Sequence, residues 1–212
     1  MILLNLSNRL TIFRILTIPI FLFFLLTKPD NLVRQSQFIW AAAIIFLISS
    51  ITDTVDGYIA RTRNEVTEWG KLMDPIADKI LVSSAIIALV ELGRIPSWVS
   101  IIIIFREFLI SGLRAVAATR NIIISASILG KAKTVIQTIA ILVTIINVPT
   151  SGISFFPISF LGIKVEWYFL IVAILVTLAS GLDYVWRFGA TLAKLSAKEI
   201  SKNKLFKNKI EK

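Results

Sequence analysis

The sequence predicts an all-α integral membrane protein, a bundle of six transmembrane helices around a polar cavity that faces the cytoplasm. Of its 212 residues, 56% are hydrophobic and only 17% are charged, and the mean hydropathy is +0.82. Soluble domains contain about 45–50% apolar and about 25% charged residues. The apolar residues also cluster into six stretches that approach the roughly 20 residues needed to span a bilayer. These observations exclude a soluble domain, a disordered chain and a collagen-like chain.

Short connectors with turn signals separate the six stretches. The first stretch ends at Lys28-Pro29-Asp30-Asn31, the third at Gly93-Arg94-Ile95-Pro96 and the fifth at Val148-Pro149-Thr150-Ser151-Gly152. The second and third apolar stretches are joined by a short polar loop, Thr62–Trp69, so we expect these two stretches to be antiparallel neighbours. In chain order, the predicted spans are Leu10–Leu26, Phe38–Ala60, Pro75–Leu92, Pro96–Ala118, Lys133–Val148 and Trp167–Arg187.

The basic residues predict the orientation of these spans. With the N-terminus inside, sixteen Lys and Arg residues are cytoplasmic and four are outside, namely Lys28, Arg34, Arg94 and Lys164. The positive-inside rule then places both termini in the cytoplasm. Residues 1–189 are expected to form one membrane domain with a short interfacial segment at 1–9, and residues 190–212 a basic cytoplasmic tail. The net charge of +10 does not indicate a nucleic-acid partner, because the basic residues lie between and after apolar stretches.

Two residue types are absent from the chain, and both absences constrain its chemistry. Without Cys there is no thiol nucleophile, disulfide or soft metal site. Without His, the usual general base and the usual zinc ligand are missing. In an enzyme of this composition, carboxylates must supply any general base and oxygen atoms must bind any metal.

Four aspartates lie inside or at the cytoplasmic ends of the second and third predicted spans: Asp53, Asp56, Asp74 and Asp78. An Asp at mid-bilayer costs about 2.5–3.5 kcal/mol on insertion scales, so four unpaired ones would cost on the order of 10 kcal/mol. Helical spacing puts the first two on one face of their span, and the last two, with Gly70, on one face of the next. Two small residues, Gly57 and Ala60, share the first face and leave room for a ligand.

Four carboxylates at close range repel one another and do not all remain ionised. Two divalent cations would balance their charge, and a pair of metals bridged by carboxylates is a known arrangement for displacement at phosphorus. Oxygen ligands favour Mg²⁺ or Mn²⁺. The alternative interpretation is a set of interfacial acids that pair with Arg61, Arg63 and Lys79.

The aspartates belong to a longer pattern. Residues Asp53–Arg61 read Asp-Thr-Val-Asp-Gly-Tyr-Ile-Ala-Arg, and residues Gly70–Asp78 read Gly-Lys-Leu-Met-Asp-Pro-Ile-Ala-Asp. All eight fixed positions of D-x2-D-G-x2-A-R-x8-G-x3-D-x3-D are present over 26 residues. This pattern resembles the signature of the CDP-alcohol phosphatidyltransferases. The resemblance implies a six-span enzyme with two metal ions that transfers a phosphatidyl group from a CDP-linked lipid to an alcohol and releases CMP.

The resemblance also implies residue roles. Three aspartates would bind the two divalent cations, Mg²⁺ or Mn²⁺: Asp53, Asp56 and Asp74. Asp78, also at the metals, would be the base that deprotonates the acceptor hydroxyl. The cytidine diphosphate portion of the donor would be bound by Gly57, Ala60, Arg61 and Gly70. These roles agree with the residue chemistry, because a carboxylate is the base available without His and Gly permits close approach of the backbone.

Basic residues of the fourth and fifth predicted spans suggest an acceptor that carries a phosphate. Arg106 lies about midway along the fourth span, where an Arg is costly and usually marks a polar cavity, and Arg114 follows on roughly the same face. Lys131 and Lys133 lie where the fifth span opens, and a helix N-terminus favours an anion. The alternatives are positive-inside placement for the two lysines and an ion pair with Glu107 for Arg106.

Three further segments resemble the bacterial phosphatidylglycerophosphate synthase branch of the same family. They are Asn5–Arg14 with Pro19, Arg106–Arg114, and Gly130–Thr134 with Gln137. This resemblance implies CDP-diacylglycerol as the donor and sn-glycerol 3-phosphate as the acceptor, with the acceptor phosphate on the basic residues. It also implies a homodimer, surrounded by membrane lipids, in the inner membrane of a bacterium.

Three other interpretations remain open from the sequence. Another member of the same family would use serine, inositol phosphate or phosphatidylglycerol as the acceptor. A cation transporter would use the aspartates as its transport site, but it would also be expected to show paired half-repeats, and none is visible in the sequence. A membrane anchor or partner-binding protein without catalytic activity would act through the basic tail.

Overall fold

A computed structural model describes residues 6–62, 68–119, 127–148, 159–160 and 163–210, and the side chains of residues 11–52, 73, 75–119, 127–148 and 164–193. The described chain is helical apart from one small hairpin. Two strands of two residues each, β1 (Ser159–Phe160) and β2 (Ile163–Lys164), pair antiparallel just before the last helix. The six helices are α1 (Leu6–Leu26), α2 (Leu32–Thr62), α3 (Glu68–Glu91), α4 (Ser97–Thr119), α5 (Ile128–Ile146) and α6 (Val165–Ile210).

The predicted number and order of helices are confirmed, but several boundaries differ from the apolar stretches. α3 begins at Glu68, so Pro75 lies inside the helix and not at its start. α5 begins at Ile128 because the Ser127 side chain caps it, accepting a hydrogen bond from the Gly130 amide at 3.2 Å. α6 continues without a break through residue 190 to Ile210, and the division of the chain at residues 189 and 190 stays a prediction.

The helices have the length and surface of a multi-pass membrane protein. Among the described residues, three helical segments are long and apolar enough to cross a membrane: Leu32–Thr52, Ile128–Ile146 and Val165–Ala193. α4 exposes Ile101, Phe105 and Phe108 along one face, and a contiguous apolar surface of this kind is rare on soluble monomers. α4 also carries Arg106 and Glu107 near its middle, which lowers its hydropathy and gives it a polar side as well as an apolar one.

The core lies where α1, α2, α3 and α5 pack together. α1 packs against α2 and α3, and α5 packs against α6 and α2. Phe21 and Phe46 meet at the α1–α2 contact with ring centroids 5.7 Å apart. Thr17 and Ser49 form a buried hydrogen bond of 3.0 Å across the same contact. These apolar and polar contacts hold α1 against α2.

A buried ion pair and an amide join the turn between α3 and α4, the residue after α5 and the first turn of α6. Gly93 has φ +68° and ends α3 in a Schellman motif, with the Arg94 amide donating to the Leu89 carbonyl at 2.8 Å. This turn directs Arg94 inward, where its Nη2 donates to Glu166 Oε1 at 2.6 Å and to the Asn147 carbonyl at 2.9 Å. The Asn147 amide donates to the other oxygen of Glu166. We call Arg94, Asn147 and Glu166 the Arg94 cluster.

Candidate active site

The aspartate motif lies on the two helices predicted to carry it. α2 continues to Thr62, so it includes Asp53, Asp56, Gly57, Ala60 and Arg61. α3 begins at Glu68, so it includes Gly70, Asp74 and Asp78. The two helices contact one another. Apart from that of Asp78, the side chains of these motif residues lie outside the described part of the chain.

Asp78 connects the motif to the basic residues of the neighbouring helices. Its side chain is partly buried and lies within electrostatic range of Lys133 on α5 and of its neighbour Lys79. Lys79 donates to the Pro75 carbonyl at 3.0 Å and lies within the same range of Glu107 on α4. The face of α3 that carries Asp78 is therefore turned toward the charged side chains of α4 and α5.

The centre of this charged region is a cluster of three side chains from two helices. Glu107 Oε1 accepts from the Arg106 guanidinium at 3.3 Å and from the Lys133 ammonium. The Lys133 side chain is only 6% exposed, and those of Arg106 and Glu107 are also largely covered. We call these three residues the Arg106 cluster. It contains two cations and one carboxylate, so it carries a net positive charge next to Asp78.

The other two predicted phosphate-binding residues occupy different positions. Arg114 is exposed and its guanidinium lies 5.5 Å from the centre of the Tyr184 ring on α6, an arrangement that favours a cation–π contact. Arg114 is also within electrostatic range of Arg106 and of Lys79. Lys131 is exposed in the first turn of α5. The structure thus brings Arg106 and Lys133 together through Glu107, with Arg114 nearby, and it leaves Lys131 at the surface.

One face of α6 also reaches this region, although none of its residues was predicted from the sequence to belong to the site. Ser180 Oγ accepts a hydrogen bond from Arg106 Nη2 at 2.9 Å. Gly181 lies against the aliphatic part of the same arginine, and Tyr184 lies under Arg114. With Thr177, these residues follow the spacing i, i+3, i+4 and i+7, the same spacing that identified the face of Asp53 and Asp56. This spacing is the sequence pattern from which the face could have been predicted.

Several buried polar atoms around the cluster have no hydrogen-bond partner among the described residues. Gln137, one turn after Lys133 on α5, is 3% exposed and lacks a partner at both Nε2 and Oε1. Thr177 Oγ1, Tyr184 Oη and Arg106 Nε also lack partners there. Burying such groups without partners costs about 1–3 kcal/mol each. Polar groups retained at this cost are typical of a site that binds a polar ligand.

The donor set of the motif fits a hard divalent cation. Among the side chains that the structure describes, no three acidic groups come together to form a metal site, but three of the four motif aspartates are outside that part. The ligands available to the chain as a whole are oxygen atoms, since it contains neither His nor Cys. Carboxylate oxygens are the ligands preferred by Mg²⁺ and Mn²⁺. Residues Asp53, Asp56, Asp74 and Asp78 therefore fit the pair of cations that the motif implies.

A family model supplies the deciding comparison. The model of the CDP-alcohol phosphatidyltransferases matches residues 4–179, which include α2, α3, α4 and α5 in full. The chain belongs to the CDP-alcohol phosphatidyltransferase family. The resemblance inferred from eight motif positions is thus confirmed over most of the chain.

Curated relatives within this family are similar along nearly their whole length. The CDP-diacylglycerol–glycerol-3-phosphate 3-phosphatidyltransferase of Bacillus subtilis (strain 168) is 43% identical over 176 residues, which cover 80% of this chain and 91% of that protein. The protein of the same name from Rickettsia felis is 37% identical over 85% of this chain and 93% of its own. The probable phosphatidylglycerophosphate synthase of Mycobacterium tuberculosis (strain H37Rv) is 39% identical over 86% of this chain and 81% of its own.

The residues of the Arg106 cluster can be compared with the part of the chain that matches the CDP-alcohol phosphatidyltransferase family. The family match ends at residue 179, just before Ser180 and Gly181 on α6. The aspartates and the cluster residues of α4 and α5 therefore lie within the matched region, while two residues that contact Arg106 lie just beyond it. The contribution of α6 is a feature read from the structure of this chain.

Proposed function

We propose that this protein transfers the phosphatidyl group of CDP-diacylglycerol to sn-glycerol 3-phosphate, forming phosphatidylglycerophosphate and CMP. The observation that carries the proposal is the similarity to the B. subtilis transferase, at 43% identity over 91% of that protein. A relative that is similar over nearly its whole length retains the acceptor-binding helices as well as the shared motif. The net positive Arg106 cluster beside Asp78 supports an acceptor that carries a phosphate.

The donor is assigned to the aspartate motif. Asp53, Asp56, Asp74 and Asp78 would hold two divalent cations, Mg²⁺ or Mn²⁺. When bound, such cations neutralise negative charge on the diphosphate and on the attacking and leaving oxygens. The cytidine diphosphate portion would be bound by Gly57, Ala60, Arg61 and Gly70, where the glycines permit close approach of the backbone. The acyl chains stay in the bilayer.

Asp78 is assigned as the general base. It takes the proton from the C1 hydroxyl of glycerol 3-phosphate, and that oxygen forms a bond to the phosphorus that carries the diacylglycerol. The bond from this phosphorus to the oxygen of CMP breaks, and CMP leaves with the bonding electrons. Arg61 stabilises the negative charge that develops on CMP. The proximity of Asp78 to the charged cluster on α4 and α5 supports this role.

The acceptor phosphate is assigned to the basic residues Arg106, Arg114, Lys131 and Lys133. Glu107 neutralises one of the two cations in the Arg106 cluster, so a phosphate group would complete its charge balance. The planar guanidinium of Arg106 suits bidentate contact with phosphate oxygens. Arg114, within electrostatic range of Arg106, adds attraction from the same helix.

We place the protein in the inner membrane of a bacterium, with both termini and the active site in the cytoplasm and with membrane lipids around its apolar surface. Bacterial relatives and the distribution of Lys and Arg support this topology. Residues 1–189 would form the membrane catalytic domain, with an interfacial segment at 1–9, and residues 190–212 a basic cytoplasmic tail. We also propose a homodimer and no nucleic-acid partner.

Release of CMP by the purified full-length protein in detergent micelles tests the function. We expect release from CDP-diacylglycerol to require glycerol 3-phosphate, to require Mg²⁺ or Mn²⁺, and to stop when a chelator is added. Serine, inositol phosphate and phosphatidylglycerol serve as competing acceptors in parallel reactions. CMP release that needs neither glycerol 3-phosphate nor a divalent cation would overturn the proposal, and preference for another acceptor would move the protein elsewhere in the family.

A further inference from the structure

Gly181 lies in the middle of α6 and directly against Arg106. A Cβ atom at position 181 would lie 3.2 Å from Arg106 Cγ and 3.6 Å from Arg106 Nε. The first distance is shorter than an ordinary contact, so a side chain there would displace the arginine by a few tenths of an ångström. Gly in a helix interior costs about 1 kcal/mol relative to Ala, and such a residue usually has a packing reason. Here the structure supplies that reason, since the space above Gly181 is occupied by Arg106.

Ser180, the residue before Gly181, fixes the other end of the same side chain. Its hydroxyl accepts from Arg106 Nη2 at 2.9 Å and donates to the Thr177 carbonyl at 3.0 Å. Because the Ser180 hydroxyl donates one hydrogen bond and accepts another, the position of its acceptor lone pair is defined. Arg106 Nη1 donates to Glu107 at 3.3 Å. The guanidinium is therefore held at both terminal nitrogens, and its stem is held against Gly181.

This arrangement leaves some N–H donors of the Arg106 guanidinium available to bind a ligand. A guanidinium has five N–H donors, and two of those on Arg106 are used by Ser180 and Glu107. Each terminal nitrogen keeps one further N–H without a partner among the described residues. Since the plane of the guanidinium is fixed, the direction of these two donors is fixed as well. An arginine held in this way binds a planar pair of phosphate oxygens at a lower entropic cost than a mobile one.

We infer that Ser180 and Gly181 are positioning residues for the acceptor, which hold Arg106 so that the remaining N–H of each terminal nitrogen faces the acceptor phosphate. The inference rests on the proposed function, since it assumes that Arg106 binds the phosphate of glycerol 3-phosphate. It assigns α6 a part in acceptor recognition through two residues that contact Arg106.

The substitution Gly181→Ala tests the inference by adding one methyl group. We expect the KM for glycerol 3-phosphate to rise about fivefold to tenfold, as for partial loss of a charge-assisted contact, while kcat and the KM for CDP-diacylglycerol stay within about twofold. Gly189→Ala is the matched control, since it is on the same helix and its Cβ would meet no atom within 4 Å. Equal effects at positions 181 and 189, or equal effects on both KM values, would overturn the positioning role.

A double-mutant cycle with Arg106→Ala shows whether Gly181 acts through the arginine. Arg106→Ala removes Cγ, so the contact with position 181 disappears. We expect Gly181→Ala to change the KM for glycerol 3-phosphate by less than about twofold in this background. If the two substitutions multiply as independent effects, Gly181 does not act through Arg106 and the inference fails.

Ser180→Ala gives a second route that adds no atoms, and it decides the case if Gly181→Ala does not fold. It removes the acceptor of Arg106 Nη2, and we expect a rise of about threefold in the KM for glycerol 3-phosphate with kcat unchanged. No rise would overturn the inference. Wild-type protein without CMP release dependent on glycerol 3-phosphate would overturn the proposed function and the inference with it, whereas an active wild type with silent variants overturns the inference alone.

Discussion

The Arg94 cluster and the Arg106 cluster are both buried and both join helices through an arginine and a glutamate, yet they differ in charge balance. In the Arg94 cluster, Glu166 is 2% exposed and each of its oxygens has a partner, one from Arg94 and one from Asn147. In the Arg106 cluster, one oxygen of Glu107 accepts from both Arg106 and Lys133. The first cluster is electrically neutral, and the second carries an additional positive charge.

This difference in charge predicts a structural role for the first cluster and a binding role for the second. The Arg94 cluster is electrically neutral and has no charge left to attract a ligand, so we expect its loss to lower stability, although Arg94 Nε has no partner among the described residues. The Arg106 cluster has an excess positive charge that a phosphate group would balance, as proposed above. Arg94 lies in the turn before α4, and Arg106 lies nine residues after the first residue of α4, about 14 Å of helical rise, so the two clusters are near neighbours along the bundle.

The largest effect is expected from Asp78→Asn, next to the Arg106 cluster. Removing a general base typically lowers turnover by about 10²–10⁴-fold. We expect kcat for CMP release to fall within this range, while binding of CDP-diacylglycerol and the unfolding temperature in detergent change little. Lys79→Met, a change of charge at the adjacent position, serves as a comparison for general electrostatic effects. Full activity of Asp78→Asn would remove Asp78 from the mechanism.

At the Arg94 cluster, by contrast, we expect a loss of stability. Arg94→Met leaves Glu166 as a buried, uncompensated carboxylate, and breaking a buried pair in this way costs about 3–5 kcal/mol. Thermal unfolding in detergent micelles should show a lower midpoint, with the KM for glycerol 3-phosphate unchanged at temperatures where the protein is folded.

Two variants control this prediction. Arg94→Met combined with Glu166→Gln removes both charges and should recover part of the lost stability. Arg187→Met breaks the ion pair with Asp183, in which the arginine side chain is 47% exposed, and we expect an unchanged midpoint because exposed pairs contribute little. An equal loss at Arg94 and Arg187 would contradict the distinction between buried and exposed pairs.

Arg106→Ala should affect binding more than stability. Removal of the arginine leaves Glu107 paired with Lys133, which is a neutral pair, so we expect little change in the unfolding temperature. The KM for glycerol 3-phosphate should rise about tenfold or more, as for loss of a charge-assisted bidentate contact, and far more than the KM for CDP-diacylglycerol. Steady-state kinetics with each substrate varied in turn measures this. A drop in stability comparable to that of Arg94→Met would show that both clusters are structural.

The smallest effect is expected from the side-chain amides of Gln137 on α5 and of Asn147, which caps the C-terminal end of α5. Asn147 donates to Glu166 in the Arg94 cluster, whereas neither side-chain polar atom of Gln137 has a partner among the described residues. We expect Asn147→Leu to lower the free energy of unfolding by about 1–3 kcal/mol, and Gln137→Leu to leave it unchanged or to raise it slightly. Parallel thermal unfolding of the two variants measures the difference. A similar loss for both would mean that the two amides have equivalent environments.

The sequence was sufficient for the parts of the structure that depend on local pattern. Apolar length predicted six helices, and eight spaced residues predicted the family. Arg106 was identified because a charged residue inside an apolar stretch is costly, and Lys133 because it lies where the fifth span opens; both lie in the charged region. The open alternative that Arg106 pairs with Glu107 is also observed.

Contacts between distant helices could not be predicted in the same way. The bond between Arg106 and Ser180 joins residues 74 positions apart, and it depends on how α4 and α6 are rotated about their axes. Hydropathy does not define that rotation, since α6 exposes and buries apolar residues alike. The position of Lys131 illustrates the same limit, because it is only two residues from Lys133 yet points to the surface.

The unbroken length of α6 has a mechanical consequence. A helix of 46 residues extends about 69 Å, more than twice the roughly 30 Å of a bilayer's hydrocarbon core. α6 begins beside Arg94, so its far half emerges at the opposite end of the bundle, where α3 begins and the aspartate motif lies. Six lysines follow residue 193 on this projecting half. With the topology proposed above, each of these lysines near the membrane surface would attract anionic lipid by about 1 kcal/mol, so we expect this half of α6 to concentrate anionic headgroups beside the aspartate motif.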